Sequence, residues 1–256
     1  MRRLFGAVLA FTLAAAVAAG QPAPGQQAPE LERPVSLKLL PSNLVSDQKS
    51  IWLFPRRLAH PRNWIAPAAV VGATALLIAE VDAPTASYFR RTSSFDGFKQ
   101  VFTGKATALG MVALPSSLLA AGLARHDSKM WKTAVLAGEA VLDSEVLTIA
   151  MKDADRRLFP ASVPPEQGFS NTWFKTSGHW LRGSGSFPSG HGIAAVSIAT
   201  VFARRYGKRR WVSYAAYGAA GLVAFSRLPL GAHYVSDTFM GAALGYSISR
   251  FAVLRQ

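Results

Sequence analysis

The 256-residue sequence contains no cysteine, which excludes disulfides, thiolate metal sites and a cysteine nucleophile in one step. An oxidising compartment stays open, because a chain without thiols has nothing to mispair. Acidic residues are few. Asp plus Glu number 14 against 28 Lys plus Arg, a net charge of +14 with histidines neutral. Such a balance attracts phosphates, anionic lipid surfaces and nucleic acid alike. Charge of either sign is sparse, at 16% of residues, while half the chain is apolar, and this excludes a disordered tail protein. The length allows one compact domain or two.

What is present starts with a basic N-terminus, Arg2 and Arg3, followed by an uncharged apolar stretch and the small residues Ala18, Ala19 and Gly20. Residues 1–20 thus have the layout of a secretory signal peptide cut near Gly20, or of an uncleaved anchor, and either form exports the chain to the periplasm or cell envelope. Residues 21–63 are expected to be a Pro-rich tether, with Pro22, Pro24, Pro29, Pro34, Pro41, Pro55 and Pro61 interrupting any long helix. The remainder, 64–256, is expected to be a helical domain. Its apolar segments at 64–81, 106–124, 132–151, 191–204, 211–226 and 236–253 are of helix length and show little strict alternation, which points to an all-α bundle of six helices.

Among these six segments only 106–124 offers about 18 consecutive uncharged residues, the usual minimum for a membrane span. Segment 132–151 carries Glu139, Asp143 and Glu145, which are costly in lipid and are expected to pair with basic side chains inside the bundle. The loop holding Arg204, Arg205, Lys208, Arg209 and Arg210 would be cytoplasmic if the helices spanned. Six spans would then put 21–63 on the same side as that loop, whereas a signal peptide delivers it outside. The expectation is therefore an exported helical domain resting on the membrane surface, with a six-span arrangement as the alternative.

Three blocks carry chemistry. In Phe187-Pro188-Ser189-Gly190-His191, proline and serine suit a helix start, and the first-turn amides form an anion site beside His191. In the run from Ser226-Arg227 to His233-Tyr234-Val235-Ser236-Asp237, His233 and Asp237 stand four apart, the spacing of one helix face. A carboxylate there fixes one imidazole nitrogen and frees the other to attack, and Arg227 offers a planar fork for phosphate oxygens. The third block, Lys152-Asp153-Ala154-Asp155-Arg156-Arg157-Leu158-Phe159-Pro160, closes the third segment of the six. Helices that alternate in direction bring all three blocks to one end of the bundle, where cations and amides suit phosphoryl transfer.

In that order of blocks the chain resembles the type 2 phosphatidic acid phosphatase superfamily, which includes lipid phosphatases, bacterial acid phosphatases and vanadium haloperoxidases. The resemblance covers about residues 64–253 and implies a six-helix bundle with the active site at one end. It implies that His233 attacks phosphorus to form a phosphohistidine, that Asp237 orients His233, and that His191 protonates the leaving oxygen and then activates water. It further implies that Lys152, Arg157, Arg227, Ser189 and Gly190 hold the phosphate oxygens, with no metal and no other cofactor. The expected substrates are lipid phosphates or isoprenyl pyrophosphates at a membrane surface, or small phosphate esters, and not nucleic acid, which would leave the histidine spacing unexplained. A vanadium haloperoxidase or a non-catalytic phospholipid-binding envelope protein are the competing readings. One departure stands out: the family's Lys-x6-Arg-Pro has Phe159 before Pro160 in place of the arginine.

Overall fold

The computed structural model describes residues 34–58, 60 and 63–254. The expected signal peptide and residues 21–33 lie outside the described residues. Helices form where the apolar segments predict them. We label α1 as Leu40–Trp52, α2 as Ile65–Arg91 with a π turn at Leu77–Val81, α3 as Gly104–Ala124 and α4 as Ser128–Asp155. Then follow α5 as Gly190–Arg205, α6 as Arg210–Ser226 and α7 as Val235–Ile248, which ends in a π turn at Ser249–Val253. Among the described residues there is no strand, and the protein is all-α.

Two elements depart from the sequence expectation. Within the Pro-rich segment, 40–52 is helical, because Pro41 falls in the first turn, where a missing N–H costs nothing. This α1 packs on α4, with Asn43 Nδ2 donating to Glu139 Oε1 at 3.0 Å and Gln48 Nε2 to Asp143 Oδ1 at 2.8 Å. The acids of α4, expected to meet basic side chains, therefore count carboxamides among their partners. The other departure is α2, which continues ten residues past its expected end to Arg91. Asp82 does not stop it, because this carboxylate is buried and paired with Arg157.

The core gathers around α5, which touches α3, α4, α6 and α7. Ile193 and Val201 are fully buried there with Leu136 of α4, and Ser144 and Ser197 hydroxyls lie 2.9 Å apart across the α4–α5 contact. Small residues let α7 approach α5 at backbone distance. A Cβ on Gly241 would sit 2.8 Å from the Ser189 carbonyl, and one on Gly245 would collide with the Ile193 carbonyl. This close crossing sets the start of α7 beside the start of α5.

Helices α2 and α3 behave differently. Both are long and apolar enough to cross a membrane, and Val71, Leu76, Leu109 and Val112 on them are each more than 60% exposed. The sequence singled out only 106–124, because the charges at Glu80 and Asp82 hid the continuity of α2.

Candidate active site at the α4, α5 and α7 ends

The turn before α7 is built on Arg227, whose carbonyl accepts from the amides of Ala232 at 3.0 Å and His233 at 3.3 Å. Gly231 takes the positive φ of +63° that this turn needs. Tyr234 is the N-cap of α7, and Asp237, in its first turn, reaches back to accept from the Tyr234 amide at 2.9 Å. The same oxygen, Oδ2, faces His233 Nδ1 across 3.5 Å. The His233–Asp237 pairing is thus a helix-cap geometry and not the shared helix face that the spacing suggested, since His233 precedes the helix. At this separation His233 Nδ1 makes no closed hydrogen bond, and such contacts in enzyme sites commonly tighten only when substrate arrives.

His233 is 5% exposed. Burial pushes its pKa down, Asp237 opposes this, and Lys152 adds to it, so the ring is held neutral at neutral pH. Burial pushes Asp237 up, but Arg157, His233 and the Tyr234 amide outweigh it and keep the carboxylate ionised.

At the start of α5, Ser189 caps the helix by accepting from the Gly192 amide at 3.2 Å. Its own amide donates to the Asp237 carbonyl at 2.9 Å. The expected Ser189 amide is therefore committed to the α5–α7 junction, and the first-turn amides of Gly190 and His191 are the donors that helix geometry leaves for an anion. His191 Nε2 donates to the Gly104 carbonyl at 3.1 Å, where α3 begins. Burial lowers the His191 pKa, and the nearby charges of Arg227, His233 and Lys152 lower it further.

Arg227 is 1% exposed. Its Nε and Nη2 donate to Ser226 Oγ at 3.0 and 2.7 Å, and Nη2 also to the Phe102 carbonyl at 2.6 Å, which leaves Nη1 beside Gly104. Lys152, in the last turn of α4, has a pKa lowered by burial and raised in part by Asp237, Glu145 and Asp155. The structure thus brings Lys152, Arg227 and His233 within electrostatic reach of His191, and Asp237 within reach of Lys152 and His233. Phe159 stands in the arginine's place as an apolar wall, its ring centroid 6.0 Å from that of His233 and 5.5 Å from Lys152 Nζ. A cavity of about 200 Å³ also reaches His233, its lining mixing Phe89, Leu228 and Val235 with the charged Asp82 and Arg90.

Arg157 is placed otherwise than expected. Its Nη1 donates to Asp237 Oδ1 at 2.6 Å and Nη2 to Asp82 Oδ2 at 2.7 Å, so its guanidinium is engaged by carboxylates and not offered to a phosphate. Asp82 went unnoticed in the sequence, although a carboxylate inside an apolar helix is a signal in itself. Asp155 was also passed over: burial pushes its pKa up to about 7, against a bond from the Arg157 amide.

Residues 133–256 match the family described as the PAP2 superfamily. A stretch of 61 residues is 43% identical to a lipid A 1-phosphatase from Porphyromonas gingivalis, covering 23% of this chain and 14% of that protein. No solved structure matches the chain.

Proposed function

Because the chain belongs, through residues 133–256, to the PAP2 superfamily, we propose that it hydrolyses phosphate monoesters of lipids, or isoprenyl pyrophosphates, through a phosphohistidine and without a metal. The observation that carries this reading is the buried, neutral His233 facing Asp237 beside Lys152, Arg227 and His191. Lys152, Arg227 and the Gly190 and His191 amides hold the phosphate. The His233 nitrogen that does not face Asp237 attacks phosphorus, forming the N–P bond as the P–O bond to the leaving group breaks. His191 gives its proton to the departing oxygen. It then takes one from water, which attacks phosphorus, breaks the N–P bond and releases inorganic phosphate.

A lipid substrate is supported by the relative named a lipid A 1-phosphatase and by the exposed apolar faces of α2 and α3. On this reading α2 and α3 lie in the bilayer, residues 1–20 export the chain to the envelope, and 64–256 form the catalytic domain. With Phe159 replacing an arginine, the phosphate loses one charged hydrogen bond, about 1.5–3 kcal/mol or one to two decades of affinity.

The test is phosphate release from an aryl phosphate and from phosphatidic acid, in the presence of chelator. Turnover by the wild type is expected, together with a loss of roughly a thousandfold or more in His233→Ala. A labelled phosphoryl group should be trapped on the wild type by an alkaline quench, since phosphohistidine is acid-labile. Undiminished turnover in His233→Ala, or strict dependence on added metal, would overturn the proposal.

A further inference from the structure

Arg157 is among the largest fully buried side chains of the molecule, at 1% exposure, and attack by His233 makes no direct use of it. Its guanidinium is held on every edge. Nη1 donates to Ser236 Oγ at 2.8 Å and Asp237 Oδ1 at 2.6 Å, Nη2 to Asp82 Oδ2 at 2.7 Å, and Nε to Thr172 Oγ1 at 3.3 Å. The rings of Tyr234 and Trp173 lie 3.9 and 4.5 Å from its central carbon and fix its plane. Asp82 is anchored in turn, accepting from the Ser236 amide at 2.9 Å and from Ser236 Oγ at 2.5 Å.

We infer that Asp82 and Arg157 are positioning residues for the nucleophile, linking α2 and the end of α4 to the His233–Asp237 pair. The inference rests on His233 being that nucleophile. Arg157 pins Oδ1 of Asp237, which turns Oδ2 toward His233 Nδ1. A lone arginine would also cancel the charge of Asp237. Asp82 supplies a second carboxylate, and with both carboxylates ionised the buried trio carries one net negative charge toward His233. That charge favours the positive character the imidazole gains as its lone pair goes to phosphorus. The arrangement also explains why Asp82 is buried on a mostly apolar helix, whereas Glu80, two residues before it, is exposed.

Two other roles would put the same residues there: a buried ion triad that merely holds helices together, or an arginine that ligates phosphate directly. The experiment separating them uses the full chain in detergent micelles, with Asp82→Asn as the variant that keeps shape and Arg157→Lys as the variant that keeps charge but loses the fork. Turnover of an aryl phosphate, inhibition by inorganic phosphate, and the His233 imidazole titration followed by 15N NMR are measured for each. For both variants kcat is expected to fall about tenfold or more, with KM and the inhibition constant of phosphate changing less than about twofold. In Asp82→Asn the His233 titration moves down by roughly half a unit to one unit, since a negative charge favouring imidazolium is gone. The acid limb of the kcat/KM profile moves with it.

An unmoved titration with unchanged kcat in folded Asp82→Asn overturns the inference in favour of a structural triad. A tenfold weaker phosphate inhibition with kcat retained overturns it in favour of a phosphate ligand. The NMR arm needs no turnover. A wild type that is inactive while its His233 titration still responds to Asp82→Asn therefore refutes the phosphatase reading and supports the coupling.

Discussion

The α4–α5–α7 end of the molecule and the α2–α3 pair solve opposite problems with the same amino-acid types. At the first, buried polar groups are tied to one another: the Ser189 amide to the Asp237 carbonyl, Arg157 to two carboxylates, and Arg227 to Ser226 and Phe102. At the second, apolar side chains such as Leu76 and Leu109 stand two-thirds exposed, and few residues of either helix are buried. Burial of polar groups is tolerated only when they are paired, so the first region is specified residue by residue. The second needs only length and hydropathy, which is what a bilayer asks of a helix. Asp82 is where the two meet, since it belongs to α2 by sequence and to the site by its contacts.

The contrast can be broken most severely at the α5–α7 crossing. Gly245→Ala places a methyl against the Ile193 carbonyl, a backbone atom that cannot swing away. The expected result is a loss of about 1–3 kcal/mol of stability in chemical unfolding, with kcat reduced because His233 moves from the α5 N-terminus. A pH profile sharpens the comparison next, since neither α2 nor α3 contains a histidine and the titration therefore reports the site alone. Both site histidines have pKa values lowered by burial, and both lie below the ordinary imidazole value of about 6.5. His233 must be neutral to attack, which sets the acid limb, and His191 must be protonated to donate, which sets the alkaline limb. The kcat/KM of the free enzyme toward an alkyl phosphate is expected to be bell-shaped with its optimum below about pH 6.5. An optimum well above that would show that the burial seen here does not govern the free enzyme. The smallest effect is expected from Val71→Asn with Leu109→Asn on the exposed faces. Aryl phosphate turnover should stay within about twofold, while partition into vesicles falls.

Much of this was legible without coordinates. The six apolar segments became helices, and Lys152, His191, Arg227, His233 and Asp237 converge because alternate helix ends share one side of a bundle. Three things were not legible. The spacing of His233 and Asp237 fits a helix face, yet a cap at Tyr234 uses the same spacing to bring them together from outside and inside α7. The Ser189 amide and Arg157 are of the right type for phosphate, but partners distant in sequence had already taken them. The helix in 40–52 was hidden by Pro41, which is harmless in a first turn and disruptive anywhere later.

By itself, the sequence determined the helical class, through apolar runs without alternation, and the chemistry available, through the residue types in three short blocks. Local periodicity and side-chain inventory are properties of the chain alone. Which cation faces an anion and which is spent holding a carboxylate was decided only by the tertiary structure, because hydrogen bonds among Asp82, Arg157, Ser236 and Asp237 join residues up to 154 positions apart. No local pattern records such a contact. It exists once α2, α4 and α7 are packed around α5.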